Sequence, residues 1–262
     1  MRARHAVVYS PLLMLCSSAA PAATAQDVLI LLTNPVSTLS RVRADYDSDY
    51  DVGEEHEGTR QTYTLRPIIP IPLTDRWQLV SETRVRFESR AEAAPLPDGH
   101  GLGDIYETLS FSPRRMNSAG GTWGLGTVIR MDTASANGVG AGGWGVGPAV
   151  ILVQQEGNSV SGITLAQLWG ASGQSSDESR LEAFASWTRA GSSITFNLEA
   201  SYDSQTQQTL LPVGFSVSRV LSVGSLFAAI GARARYYVDA PKSAGAWGLG
   251  VDFTIVPGRV AK

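Results

Sequence analysis

The chain has 262 residues, of which 43% are apolar and only 17% charged, with 27 glycines, 13 prolines and a net charge of −3. So few charges beside so much apolar content exclude intrinsic disorder. The glycine content argues against a helical bundle, because glycine weakens helix interiors by about 1 kcal/mol relative to alanine. A mean hydropathy of −0.02 excludes a polytopic helical membrane protein and leaves a β protein.

The chain begins with an address. Arg2, Arg4 and His5 form a basic start, residues 6–20 are uncharged and largely apolar, and Ala23-Thr24-Ala25 is a small-x-small cleavage site. This predicts a signal peptide over residues 1–25, cleaved before Gln26, and hence export. The apolar stretch falls short of the roughly 20 residues a membrane helix needs. Its removal leaves 19 basic and 24 acidic side chains and no cysteine, since Cys16 is the only one, so the mature chain forms no disulfide. The mature lysines are Lys242 and Lys262 alone, against 17 arginines, which excludes a polybasic nucleic-acid binder. Residues 26–36 read as an N-terminal periplasmic segment whose apolar piece, Val28 to Leu32, is either a plug or a loose tail.

From residue 37 the chain alternates. In the segment from Trp77 to Glu88, Trp77, Leu79, Ser81, Thr83, Val85 and Phe87 share one face, while Gln78, Val80, Glu82, Arg84, Arg86 and Glu88 share the other. Four consecutive charges on one face, with aromatics bracketing the opposite one, are a period-two signal. The pattern returns at Ile194 to Asp203 and at Trp247 to Ile255, and no stretch shows a helical period. About twelve strands are predicted near residues 37–50, 59–72, 76–89, 104–112, 122–131, 143–155, 159–170, 180–189, 193–203, 207–217, 225–237 and 246–256.

The connections differ in kind. Those after every odd-numbered strand are mostly long, polar and glycine-rich, such as the ones from Arg90 to Gly103 and from Asp132 to Gly142. Those at Leu73-Thr74-Asp75, Glu156-Gly157-Asn158 and Ala190-Gly191-Ser192 are tight, and the ones from Pro113 to Gly121 and from Ser218 to Gly224 are intermediate. Long loops at one end and short turns at the other predict an all-β, antiparallel, up-and-down transmembrane barrel over residues 37–262, with both termini at the periplasmic side. The competing reading is an exported soluble β-sandwich. Trp77, Phe87, Trp144, Tyr202 and Trp247 fall near strand ends on the apolar face, as a lipid-facing aromatic belt requires.

Several patches then look familiar in order: Asn34-Pro35-Val36-Ser37, Pro67-Ile68-Ile69-Pro70, Gly101-Leu102-Gly103-Asp104-Ile105, Phe111-Ser112-Pro113, Trp144-Gly145-Val146-Gly147-Pro148, Arg235-Tyr236-Tyr237 and Trp247-Gly248-Leu249. Across nearly the whole mature chain the sequence resembles a family of bacterial outer-membrane barrels described as transporters or porin-like. The family is related in pattern to the outer-membrane proteins of phenol meta-pathway clusters. The resemblance implies a Gram-negative outer membrane, contact with its lipid, insertion by the barrel-assembly machinery, and passage of a small-molecule solute. Gly250, Phe253 and Ile255 fit the spacing of an assembly signal, although Val256 to Lys262 trail beyond it. A doubled Ala-Arg between Gly231 and Tyr237 is a second departure.

If apolar side chains face lipid, the alternate positions face the lumen. That assigns Arg41, Arg43 and Asp45 to the lumen from the first strand, Arg60 and Arg66 from the second, Glu82, Arg84, Arg86 and Glu88 from the third, and Arg233 and Arg235 from the eleventh. Because the first and last strands must meet, these arginines are expected to form one basic wall, with Glu182, Glu199 and Asp252 elsewhere. Such a wall either sets ion selectivity or belongs to an ion-pair network filling a narrow lumen. The expected function is passive passage of small solutes, anionic or aromatic, with no cofactor and no catalytic residue. The alternatives are a lipid-acting hydrolase and a closed structural barrel. The mature histidines, His56 and His100, both fall in expected external loops, and no Gly-x-Ser-x-Gly elbow is present. The run Asp45, Asp47, Asp49, Asp51 reads as a solvated acidic strand end, with a rim Ca²⁺ site as the lesser alternative; no metal site is assigned.

Overall fold

The computed structural model describes residues 24–91, 99–135, 139–140, 142–171, 177–223, 226–241 and 244–257; of the expected leader, residues 1–25, only Thr24 and Ala25 are among them. A short helix, α1 (Ala25–Thr33), precedes β1 (Arg41–Val52), β2 (Gly58–Pro72), β3 (Trp77–Ala91), β4 (Gly99–Leu102), β5 (Ile105–Pro113), β6 (Gly121–Met131) and β7 (Gly145–Glu156). There follow β8 (Ser159–Gly170), β9 (Glu178–Arg189), β10 (Ser192–Asp203), β11 (Gln208–Val223), β12 (Leu226–Asp239) and β13 (Trp247–Val256). Successive strands pair antiparallel, except that β4 and β5 both pair with β3, and β1 pairs with β13, so the sheet closes on itself. β4 and β5 share the same edge of β3 and count as one wall strand, giving a twelve-strand up-and-down barrel. Closure lets every ladder group pair within the wall, which a strand structure in hydrocarbon requires.

The sequence expectation differs from the structure in three places. β4 adds four residues above the fourth expected strand, because Gly103 and Asp104 break the ladder where Asp104 takes the backbone N–H groups of Thr133 and Ala134. β11 runs on to Val223, through residues assigned to a connection, because Ser218 to Val223 keep pairing with β12. Finally, α1 is helical where no helical period was visible. Nine residues give too little length for a period to show, and the run from Val28 to Leu32 is apolar all round.

Local chemistry explains α1. In the uncleaved chain Thr24 caps it in a reciprocal capping box with Asp27, a cap that cleavage before Gln26 removes, and Asn34-Pro35 ends it, since the residue before proline is disfavoured in helical conformation. Its packing is inward, at the mouth of the barrel. Val28 and Leu29 bury against Leu39, Val220, Ala229 and Val256. Ile30 joins Val36, Ile68, Val80, Ile151, Val153 and Val160 in a second cluster. Gln26 accepts from the backbone N–H of Ala190 at 3.2 Å and donates to Asn158 at 2.8 Å, which ties the helix to two of the short turns. The second of those turns in chain order is tight for a local reason: Ala190 and Gly191 both have positive φ, the primed geometry that matches strand twist.

The outer surface is apolar where the alternation demands it. Aromatic rings gather at two levels: Trp77 stacks on Phe111 at 4.8 Å beside Trp123, and Tyr63 lies between Tyr46 and Phe87 at the other end. Trp77 and Phe87 are ten residues apart on β3, about 33 Å of strand at the usual rise, which a tilt of roughly 40° reduces to about 25 Å of membrane thickness. One carboxylate faces outward between these levels: Glu107 accepts from the hydroxyls of Ser81 and Thr83 on the adjoining strand at 2.5 and 2.6 Å.

Candidate functional site

The inward positions enclose a cavity of about 430 Å³. Arg41, Arg43, Arg60, Arg66, Glu82, Arg84, Arg86, Glu88, Arg233 and Arg235 all line it, as strict alternation on β1, β2, β3 and β12 requires. The arrangement is not the single basic wall expected from the sequence. Asp45, Asp47 and Asp49 point into the lumen rather than standing at a solvated rim, and they are buried. Opposite charges interleave because β1 brings its acidic column between the arginines of β2 and those of β12.

The result is a ladder of ion pairs across the seam where the barrel closes. Arg233 binds Asp47 at 2.6 Å and Asp45 at 2.9 Å. Arg235 binds Asp49 at 2.7 Å, and Arg60 reaches the other oxygen of the same carboxylate at 2.9 Å. The Tyr237 hydroxyl donates to Asp49 at 3.1 Å. Arg43 binds Asp45 at 2.7 Å and approaches Asp252 at 3.5 Å. With Asp49 fully buried, its contacts with Arg60, Arg235 and Tyr237 replace the water that the carboxylate has lost.

A second set of contacts crosses the lumen. β3 and β9 lie five steps apart around the ring, yet Arg84 meets Glu182 at 3.3 Å. Beside that bridge, Arg180 binds Glu178 at 2.6 Å and lies 4.1 Å over the ring of Tyr106, whose hydroxyl is 3.5 Å from Glu178. Together these contacts pinch the lumen from two nearly opposite walls. Arg180, Glu178 and Tyr106 escaped the sequence reading; their inward positions on β9 and β5 follow the same alternation, but nothing in sequence placed those strands face to face.

The remaining candidates have other roles in the geometry. Arg41 is buried and donates to Ser37 and to the carbonyls of Asn34 and Leu39, clasping the segment that joins α1 to β1. Glu88 pairs with Arg90 at 3.0 Å. Among the described residues, Arg86 makes no ion pair and no side-chain hydrogen bond, and it is exposed to the cavity. The histidines are both exposed: His56 sits 3.4 Å from the Asp51 carbonyl, and His100 is on β4, not in a turn, with its ring against Phe87. In the β3–β4 ladder His100 stands opposite Ser89, with no hydrogen bond between their side chains among the described residues. No cluster of candidate metal ligands occurs among the described residues.

Fold and lumen together define a small up-and-down transmembrane β-barrel with a charge-lined, constricted interior. Among solved structures, the chain is similar to an outer membrane channel from Pseudomonas putida F1, at 15% identity over 84% of this chain and 96% of that one, with a TM-score of 0.64. It is also similar to the NanC porin, at 10% identity over 83% of this chain and 98% of that one, with a TM-score of 0.52. At these identities the likeness shows the fold. No protein-family model matches the chain, and no curated protein matches it in sequence.

Proposed function

We propose that this chain, exported by residues 1–25, is a porin-like channel of the bacterial outer membrane that passes small solutes, anionic or aromatic. The observation that carries the reading is the lumen itself: a closed barrel holding a cavity of about 430 Å³ walled by nine arginines and seven carboxylates. Hydrophobic contact does not need such a wall, and charged rings of this kind sort permeant ions. The fold shared with an outer membrane channel and a porin supports the same reading. The aromatic solute class follows from the resemblance to the phenol-cluster proteins. Gly250, Phe253 and Ile255, at the end of the last strand, would present the chain to the assembly machinery.

A closed structural barrel is the second reading, favoured by α1, which fills one mouth with two apolar clusters. Single-channel current through residues 26–262 in a planar bilayer under a KCl gradient separates the two. Small discrete steps with an anion-selective reversal potential are expected, and the joint substitution Arg84→Ala and Arg86→Ala should lower that selectivity. Silence from a folded barrel would favour the structural reading.

A further inference from the structure

The β2–β3 wall carries more guanidinium than carboxylate. The register that sets Thr64 against Arg86 and Leu65 against Val85 brings Arg66 beside Arg84, two like charges where cross-strand neighbours ordinarily avoid them. Arg84 is committed to the bridge across the lumen. Arg66 is poorly satisfied: its two ion pairs, to Asp45 and Glu82, are long at 3.9 and 3.8 Å, and its buried Nε has no hydrogen-bond partner. Arg86, on the same wall, has neither kind of partner among the described residues and opens on the cavity. The ladder arginines are the opposite case, since Arg60, Arg233 and Arg235 are each clamped at 2.9 Å or less.

We infer that this wall is an anion subsite, with Arg86 as its fork and Arg66 as its second cation, and that its ligand is the carboxylate of a small organic monoanion. The inference rests on the channel reading for the ligand's route of access and goes beyond it in assigning the site. A guanidinium offers two parallel N–H groups spaced for the two oxygens of a carboxylate, a match that chloride cannot use. Thr64, opposite Arg86 and also on the cavity wall, supplies a hydroxyl donor. The surplus favours one negative charge over two, because Glu82 lies beside Arg66 and Glu88 follows two residues after Arg86. The subsite adjoins the contacts that cross the lumen, Arg84–Glu182 and Arg180 over Tyr106, so an anion held there lies beside that pinch.

The test is block of chloride current by benzoate in a planar bilayer, with benzamide as the neutral counterpart and residues 26–262 as the protein. Benzoate should lower the current in a concentration-dependent way, and benzamide should do so far less. Arg86→Gln should weaken the block by roughly tenfold, the loss of one charge-assisted pair, while Arg86→Lys should retain part of it. Arg219→Gln, on the outward face, should leave it unchanged. Equal block by benzamide, or full block in Arg86→Gln, would overturn the subsite while leaving the channel in place. If no chloride current appears, the channel reading fails instead. Benzoate binding to the refolded barrel, followed by saturation-transfer NMR, then decides the subsite: binding lost in Arg86→Gln upholds it, and no binding, or binding unchanged in that variant, overturns it.

Discussion

Arg235 and Asp49 form a 2.7 Å ion pair although their strands do not touch. β13 lies between β12 and β1, and the residue in the intervening position is Gly248, paired with Arg235 on one side and Asp49 on the other. The next rung repeats the arrangement, with Gly250 between Arg233 and Asp47. A Cβ at either glycine would overlap the aspartate oxygen that receives the arginine. The missing side chains are what let the ladder cross a strand.

Gly248→Ala and Gly250→Ala should therefore destabilise the barrel by about 2–4 kcal/mol each, since the new methyl displaces one partner of a buried pair. Gly214→Ala, whose Cβ would meet its neighbours no closer than 3.5 Å, should cost under about 1 kcal/mol. Urea unfolding of the three variants in lipid vesicles, followed by tryptophan fluorescence, measures the difference. Equal effects at all three positions would remove the steric account.

Asp49 is the rung on which most depends. It takes Arg60, Arg235 and the Tyr237 hydroxyl. Asp49→Asn should cost about 3–5 kcal/mol, because it leaves two guanidiniums without their shared carboxylate. Asp51→Asn, at the rim beyond the ladder, where the carboxylate accepts from Trp247 Nε1 at 3.1 Å, should be close to neutral in the same unfolding measurement.

The bridge across the lumen holds one charge of each sign, so its two halves should shift selectivity in opposite directions. Glu182→Gln should raise the anion-to-cation permeability ratio and Arg84→Gln should lower it, each by roughly twofold or more. Reversal potentials under a KCl gradient give both numbers. Shifts of the same sign would mean the bridge does not border the conducting path.

Deleting residues 26–33 removes a helix whose Val28, Leu29 and Ile30 fill the barrel mouth. Larger conductance steps are expected, roughly twofold or more if α1 is the main obstruction. Heat-modifiable gel mobility establishes that the shortened chain still forms a barrel. An unchanged step size would place the limiting constriction at the Arg84–Glu182 pinch.

Much of this architecture is legible in the sequence because a strand shows its two faces by parity alone. Trp77 to Glu88 declares which side meets lipid and which meets the lumen, and the alternation of loops and tight turns such as Ala190-Gly191 declares the up-and-down order. Parity also put all ten candidate side chains inside. It could not give the environment of Asp47 and Asp49, which look like a wet strand end when β1 is read by itself, nor the helix, whose nine residues are too few to show a period.

The sequence by itself determined the strand count, the faces and the charge inventory, because these depend only on a two-residue repeat and on where glycine and polar turns interrupt it. Tertiary structure alone decided who meets whom. Closure fixed the register of β1 against β13, and with it the alignment of Gly248 and Gly250 under two arginines. Barrel curvature brought β3 within reach of β9, and the open mouth gave α1 an apolar place to bury. Those choices depend on contacts between residues far apart in the chain, which a local repeat cannot encode.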